Sequence, residues 1–196
     1  MLSSPAWDTP TYWALDLETS GLSPADQILS VGMVPLRQGV IRYGERFYSL
    51  VRPQAGLPLS QEGIRAHHIV PAELEGAPPL AEVLEAVHPR LGEGILLLHH
   101  APLDVGFLQR AYRWLGRPWP RPRVLDTAGL IARLQHRQHQ LEPHARPLPT
   151  GLAESRAHFG LPPHLEHHAL YDALATAELF LLLRARLGAK TLRQLL

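Results

Sequence analysis

At 196 residues and 45% hydrophobic content, the chain can bury one substantial core, and its length favours a single domain. The 19 basic residues against 18 acidic ones leave a formal charge of +1, which excludes a strongly basic nucleic-acid glove and makes any nucleic-acid contact a local one. With no cysteine, disulfide scaffolds, thiolate metal sites and cysteine nucleophiles are excluded, and only oxygen and nitrogen ligands remain.

The opening "MLSSPAWDTP" has no basic region and no apolar run, so residues 1–11 read as a tail. No stretch of the chain reaches the length of a membrane span, and the expectation is a cytoplasmic protein with no membrane contact. Residues 12–18 read as a strand, "SGLSPADQ" as a turn, and "ILSVGMVPL" and "VIRYGERFYSLV" as the rest of a three-stranded meander. After Pro-punctuated loops, Leu80, Val83, Leu84 and Val87 recur at helical spacing. The unbroken apolar run in "GILLLHH" fits a strand covered on both faces. A helix follows, with Pro102 suited to its first turn and Gly116 as its stop, which puts Asp104 in that first turn. "VLDTAGLIARL" predicts a short strand running into a helix, and residues 135–151, polar and Pro-rich without a sustained period, read as a mobile loop. From Glu166 to Leu187 the spacing predicts one long, deeply packed helix. Residues 12–187 are thus expected as one domain and 188–196 as a C-terminal extension, and the element order argues for a mixed α/β sheet with helices on both faces.

Two acids interrupt the first strand. Asp16 and Glu18 share a face because side chains alternate, while Trp13, Leu15 and Leu17 occupy the other. With Cα atoms roughly 6.5–7 Å apart, two like charges beside apolar neighbours resist joint ionisation unless something positive lies between them. Taken alone, such a pair also fits an edge strand facing water, and Asp104 alone fits an acid favoured by a helix dipole. Asp172 is harder to place so simply, since an acid beside Leu170, Tyr171 and Leu174 in an apolar helix needs a partner or a solvent-facing flank. Two neighbouring strands and one helix packed across their ends would bring all four carboxylates into one pocket fit for two Mg²⁺ or Mn²⁺ ions.

On these residues the chain resembles the DEDD 3′–5′ exonucleases, in the branch with a catalytic histidine to which bacterial proofreading subunits belong. The first motif is matched by "LDLETSGL", the second more loosely by "HHAPLDVGFL", and the third by "HHALYDA". In that branch a histidine precedes the last aspartate by five positions, which makes His167 the counterpart rather than His168. Asp126 and "AHHIV" at 66–70 also look like family landmarks. The resemblance implies a ribonuclease H-like fold, with Asp16, Glu18, Asp104 and Asp172 as ligands of two Mg²⁺ or Mn²⁺ ions and His167 as general base. It also implies that His67 and the backbone around Leu17 and Thr19 line the pocket of the terminal nucleotide. The chain departs from the pattern at His100, where the family usually has asparagine, at His68, where it usually has glycine, and at Leu103, where Phe is common. None of these removes a metal ligand or the general base.

The chemistry explains the residue types. Hydrolysing a phosphodiester needs a deprotonated water in line with the leaving 3′ oxygen and charge neutralised on both oxygens, which paired divalent ions held by carboxylates can supply. An imidazole neutral at pH 7 to 8 can take the proton of that water. The expected substrate is a 3′ end, of DNA before RNA, with a polymerase as a possible partner. The alternatives are an RNA or oligoribonucleotide exonuclease and an inactive nucleic-acid- or polymerase-binding module. The histidine cluster His136, His139 and His144 also invites a zinc reading, but its spacing matches no closed-site pattern well.

Overall fold

The computed structural model describes residues 4–23, 25–54 and 67–196, so Pro24 and Ala66 of the sequence motifs lie outside the described residues. Strands β1 (Tyr12–Thr19), β2 (Ile28–Arg37), β3 (Val40–Ile41) and β4 (Phe47–Leu50) come first, followed by helices α1 (Pro71–Glu75) and α2 (Leu80–Gly92). The second part alternates: β5 (Ile95–Leu98), α3 (Ala101–Trp114), β6 (Arg123–Asp126), α4 (Thr127–Leu141), α5 (Leu152–His158) and α6 (Ala169–Leu187). The six strands form one sheet in the order β3-β2-β1-β5-β6, with β4 also on β2. β1 runs antiparallel to β2 and parallel to β5, which is itself parallel to β6, so the sheet is mixed as expected. The third strand of the meander is interrupted by a 3-10 turn at Tyr43–Glu45, and its two pieces pair with different ends of β2.

Alternation along β1 divides the core. Trp13 and Leu15 pack with Leu84 of α2 and with Phe107 and Leu108 of α3, while Tyr12 and Ala14 pack with Phe180 and Leu183 of α6 and Leu130 of α4. Helices therefore cover both faces of the sheet, α2 and α3 on one and α4 and α6 on the other.

Three expectations need correction. The stretch read as a mobile loop over 135–151 is helical as far as Leu141, because Leu130, Ile131 and Leu134 carry the apolar stripe of α4 onto the core while its polar outer face masks the period. The long helix starts at Ala169 rather than Glu166, since His167 has a left-handed backbone (φ 60°) that no helix accommodates. The segments read as tail and extension are joined: Ala6 bridges Thr191, and Trp7 packs edge-on against Phe180.

Candidate active site

Register across the sheet builds the site. Asp16 lies opposite Gly32 on β2, which lies opposite Tyr48 on β4, and Glu18 lies opposite Ser30. Directly paired residues point to the same face, so this row faces α6. Gly32 is what lets the helix descend: a Cβ there would run into the backbone of Ala169 and Leu170. The first turn of α6 thus lies flush on β2, and carboxylate oxygens of Asp16, Glu18 and Asp172 all come within 4.8 Å of one another.

Asp104 approaches from α3, near enough to raise the Asp16 and Glu18 carboxyls but not one of the three within 4.8 Å. Its helix begins beside the end of β6, where Asp126 accepts the backbone N–H groups of His100 and Ala101, each at 3.0 Å, and that of Ala128 at 2.9 Å. Asp126 thereby satisfies the starts of two helices at once and orients the one carrying Asp104. Asp104 is buried.

The electrostatics are those of a buried acidic cluster whose members oppose one another's ionisation. Burial raises the Asp16 carboxyl well above the usual range, and Asp104, Asp172 and Glu18 push it further. Burial, then Asp172 and Asp104, push Glu18 up to about 8. Asp104 is pushed up to about 7, mainly by burial, against hydrogen bonds from its own backbone and that of Leu17. Asp172 is raised by burial and partly relieved by His164. Four oxygen-donor groups that resist joint ionisation fit hard divalent cations such as Mg²⁺ or Mn²⁺.

The histidine side is built from irregular chain. His164 Nε2 lies 2.8 Å from Asp172 Oδ1, and the His168 backbone N–H donates to Asp172 Oδ2 at 3.0 Å. His167 is exposed and close enough to both Asp172 and His67 to affect their protonation. His67 is buried, accepts the Ile69 N–H on Nδ1 at 3.0 Å, and has no partner for Nε2 among the described residues. Leu17 and Thr19 lie at the end of β1 next to the carboxylates, where a bulge between Glu18 and Thr19 shifts the register. Sequence reasoning missed His164, hidden among 12 histidines, and Gly32, whose signal was a glycine inside the apolar run "SVGMV". It also missed Arg156, buried on α5, which donates to Pro162 O at 3.0 Å and Ala175 O at 2.9 Å and so ties the His164 loop to α6. His136 and His139 of the zinc reading pair instead with Gln140 and Gln135. A cavity of about 500 Å³ bordered by Ile28, Phe107 and Trp114 takes in none of the four acids.

Residues 13–180 match the family model described as exonuclease. The chain belongs to the exonuclease family. It is 34% identical over 189 residues to a DNA polymerase III subunit epsilon-like protein of Rhodobacter capsulatus, covering 94% of this chain and 25% of that protein. It is 32% identical over 175 residues to the PolC-type DNA polymerase III of Listeria innocua, covering 89% of this chain and 11% of the relative. The exonuclease domain thus spans about a quarter or less of these relatives. Among solved structures it is similar to exonuclease X in complex with 5′-overhanging duplex DNA (TM-score 0.67, 23% identity, 94% of this chain and 96% of that one). It is also similar to E. coli exonuclease I (TM-score 0.75, 16% identity, 91% and 41%). These likenesses bear out the ribonuclease H-like fold and the relation to DEDD exonucleases.

Proposed function

We propose that this domain removes nucleoside 5′-monophosphates one at a time from 3′ ends, of single-stranded or frayed DNA before RNA. The observation that carries the reading is the convergence of Asp16, Glu18 and Asp172 within 4.8 Å, with Asp104 buried and near enough to raise Asp16 and Glu18. These four would hold two Mg²⁺ or Mn²⁺ ions, which when bound lower the pKa of an attacking water and offset charge on the leaving oxygen. His167, exposed at the rim, takes the proton of that water. His67 and the backbone at Leu17 and Thr19 receive the terminal nucleotide; the His67 Nε2, without a partner among the described residues, supports this.

The preference for DNA rests on the polymerase-named relatives, and so does a polymerase partner that delivers the 3′ end. The small net charge agrees with a domain that does not grip long strands by itself. Among the described residues no helix is long and apolar enough to cross a membrane. A cytoplasmic site of action goes with a nucleic-acid substrate. The test uses 5′-labelled DNA and RNA strands of one sequence, single-stranded and as mismatched duplexes, with Mg²⁺ or Mn²⁺. Stepwise shortening from the 3′ end, faster on DNA, is expected. Faster RNA cleavage would move the assignment to an RNA exonuclease, first release of the labelled nucleotide would reverse the polarity, and binding that needs no divalent metal, without cleavage, would leave a binding module.

A further inference from the structure

His168, whose N–H holds Asp172, makes an aromatic contact outside the acidic cluster. The His168 ring contacts two tyrosines: it is stacked on Tyr48 of β4 at 4.7 Å between centroids and 22° between planes, and tilted against Tyr171 of α6 at 4.7 Å and 52°. Its Nδ1 is buried with no partner among the described residues, so the ring is held by its faces rather than by hydrogen bonds. Its backbone does the opposite. The His168 N–H holds Asp172 Oδ2, and its carbonyl accepts the N–H groups of Tyr171 and Asp172 at 2.8 and 3.0 Å. The stack therefore pins the start of α6 to β4, the strand next to the Gly32 contact.

We infer that the Tyr48–His168–Tyr171 stack sets the position of the Asp172 carboxylate, which makes His168 a positioning residue for the divalent-cation site. The inference rests on the proposed metal-dependent function. Removing the ring leaves the His168 N–H in place but frees the chain that carries it, so the carboxylate loses its fixed aim at Asp16 and Glu18. Losses of about 10–100-fold in metal affinity are typical when a ligand's support is removed.

The test is Mn²⁺ binding to the full chain, followed by the electron paramagnetic resonance signal of free Mn²⁺, for the wild type, His168→Ala, His168→Phe and Tyr48→Ala. His168→Ala and Tyr48→Ala are expected to bind Mn²⁺ about 10–100-fold more weakly, whereas His168→Phe, which keeps a flat ring, stays within a few-fold of the wild type. Tyr48 is 38% exposed, so its variant reads the stack even where His168→Ala folds poorly. Wild-type affinity in both alanine variants would overturn the inference. So would an equal loss in His168→Phe, which would assign the effect to the ring nitrogens. Cleavage of a labelled strand is followed in parallel: a wild type that binds Mn²⁺ yet cleaves nothing overturns the exonuclease reading, while the affinities still decide the stack.

Discussion

The two sides of the candidate active site are built by different means. The acidic side stands on regular structure: Asp16 and Glu18 share a face of β1 by strand alternation, and Asp104 is aimed by the first turn of α3. The histidine side, from Leu161 to His168, has no regular element and is held by Arg156, by the His164–Asp172 contact and by an aromatic stack. One side inherits its geometry from the backbone ladder, and the other acquires it from side-chain contacts that no ladder fixes. Loss of a carboxylate should abolish chemistry, whereas loss of the contacts that hold the second side should be graded and partly recoverable.

The largest expected effect follows on the acidic side. Asp16→Ala and Asp172→Ala should each lower Mg²⁺- or Mn²⁺-dependent cleavage by about a thousandfold or more while circular dichroism shows an intact fold. Near-normal turnover in either variant would remove the two-metal arrangement. On the histidine side, His167→Ala should cost about 10²–10⁴-fold in kcat with little change in KM. Excess Mn²⁺ should not restore it, whereas it should restore His168→Ala. Reversed behaviour would shift the third-motif alignment by one residue.

Arg156→Met tests what holds the histidine loop. It removes hydrogen bonds to two carbonyls and the 2.8 Å ion pair with Glu178, and should cost about 3 kcal/mol in denaturant unfolding. A loss below about 0.5 kcal/mol would show that the loop is held by other contacts.

Stability against pH reads the acidic side directly. Glu18 is pushed up from 4.5 to about 8 and Asp104 from 3.8 to about 7, so the folded chain retains protons that the unfolded chain has released. The folded state binds more protons in that window, and stability in EDTA should therefore fall as pH rises from about 4.5 to about 8. Mn²⁺ binds the ionised carboxylates and should raise the Tm most at the upper end. Thermal unfolding at both ends of the window, with EDTA and with Mn²⁺, checks this; a Tm in EDTA that climbs with pH would contradict the raised pKa values.

The smallest effect concerns two departures from the family pattern. His68 and His100 both have φ of 58°, in the left-handed region where the glycine and asparagine usual in the family sit at less cost. His68→Gly should change stability by less than about 1 kcal/mol, in the stabilising direction. A clear loss in chemical denaturation would show that the imidazole makes contacts that outweigh the strain.

The sequence by itself determined the sheet, most of the helices and the four acids, because strand alternation, helical spacing and first-turn position are local properties of the chain. It singled out His167 as a candidate through its spacing to Asp172 within a motif. It did not show that 135–141 continues a helix, since the side of α4 that meets the core is narrow and its other side is polar. Tertiary structure alone decided that Gly32 admits α6 to the sheet, that Asp126 aims the helix of Asp104, and that His164 and His168 hold the two oxygens of Asp172. Each of these joins residues on separate elements or in irregular chain, where no period marks them, and their partners are set only once the sheet and helices have packed.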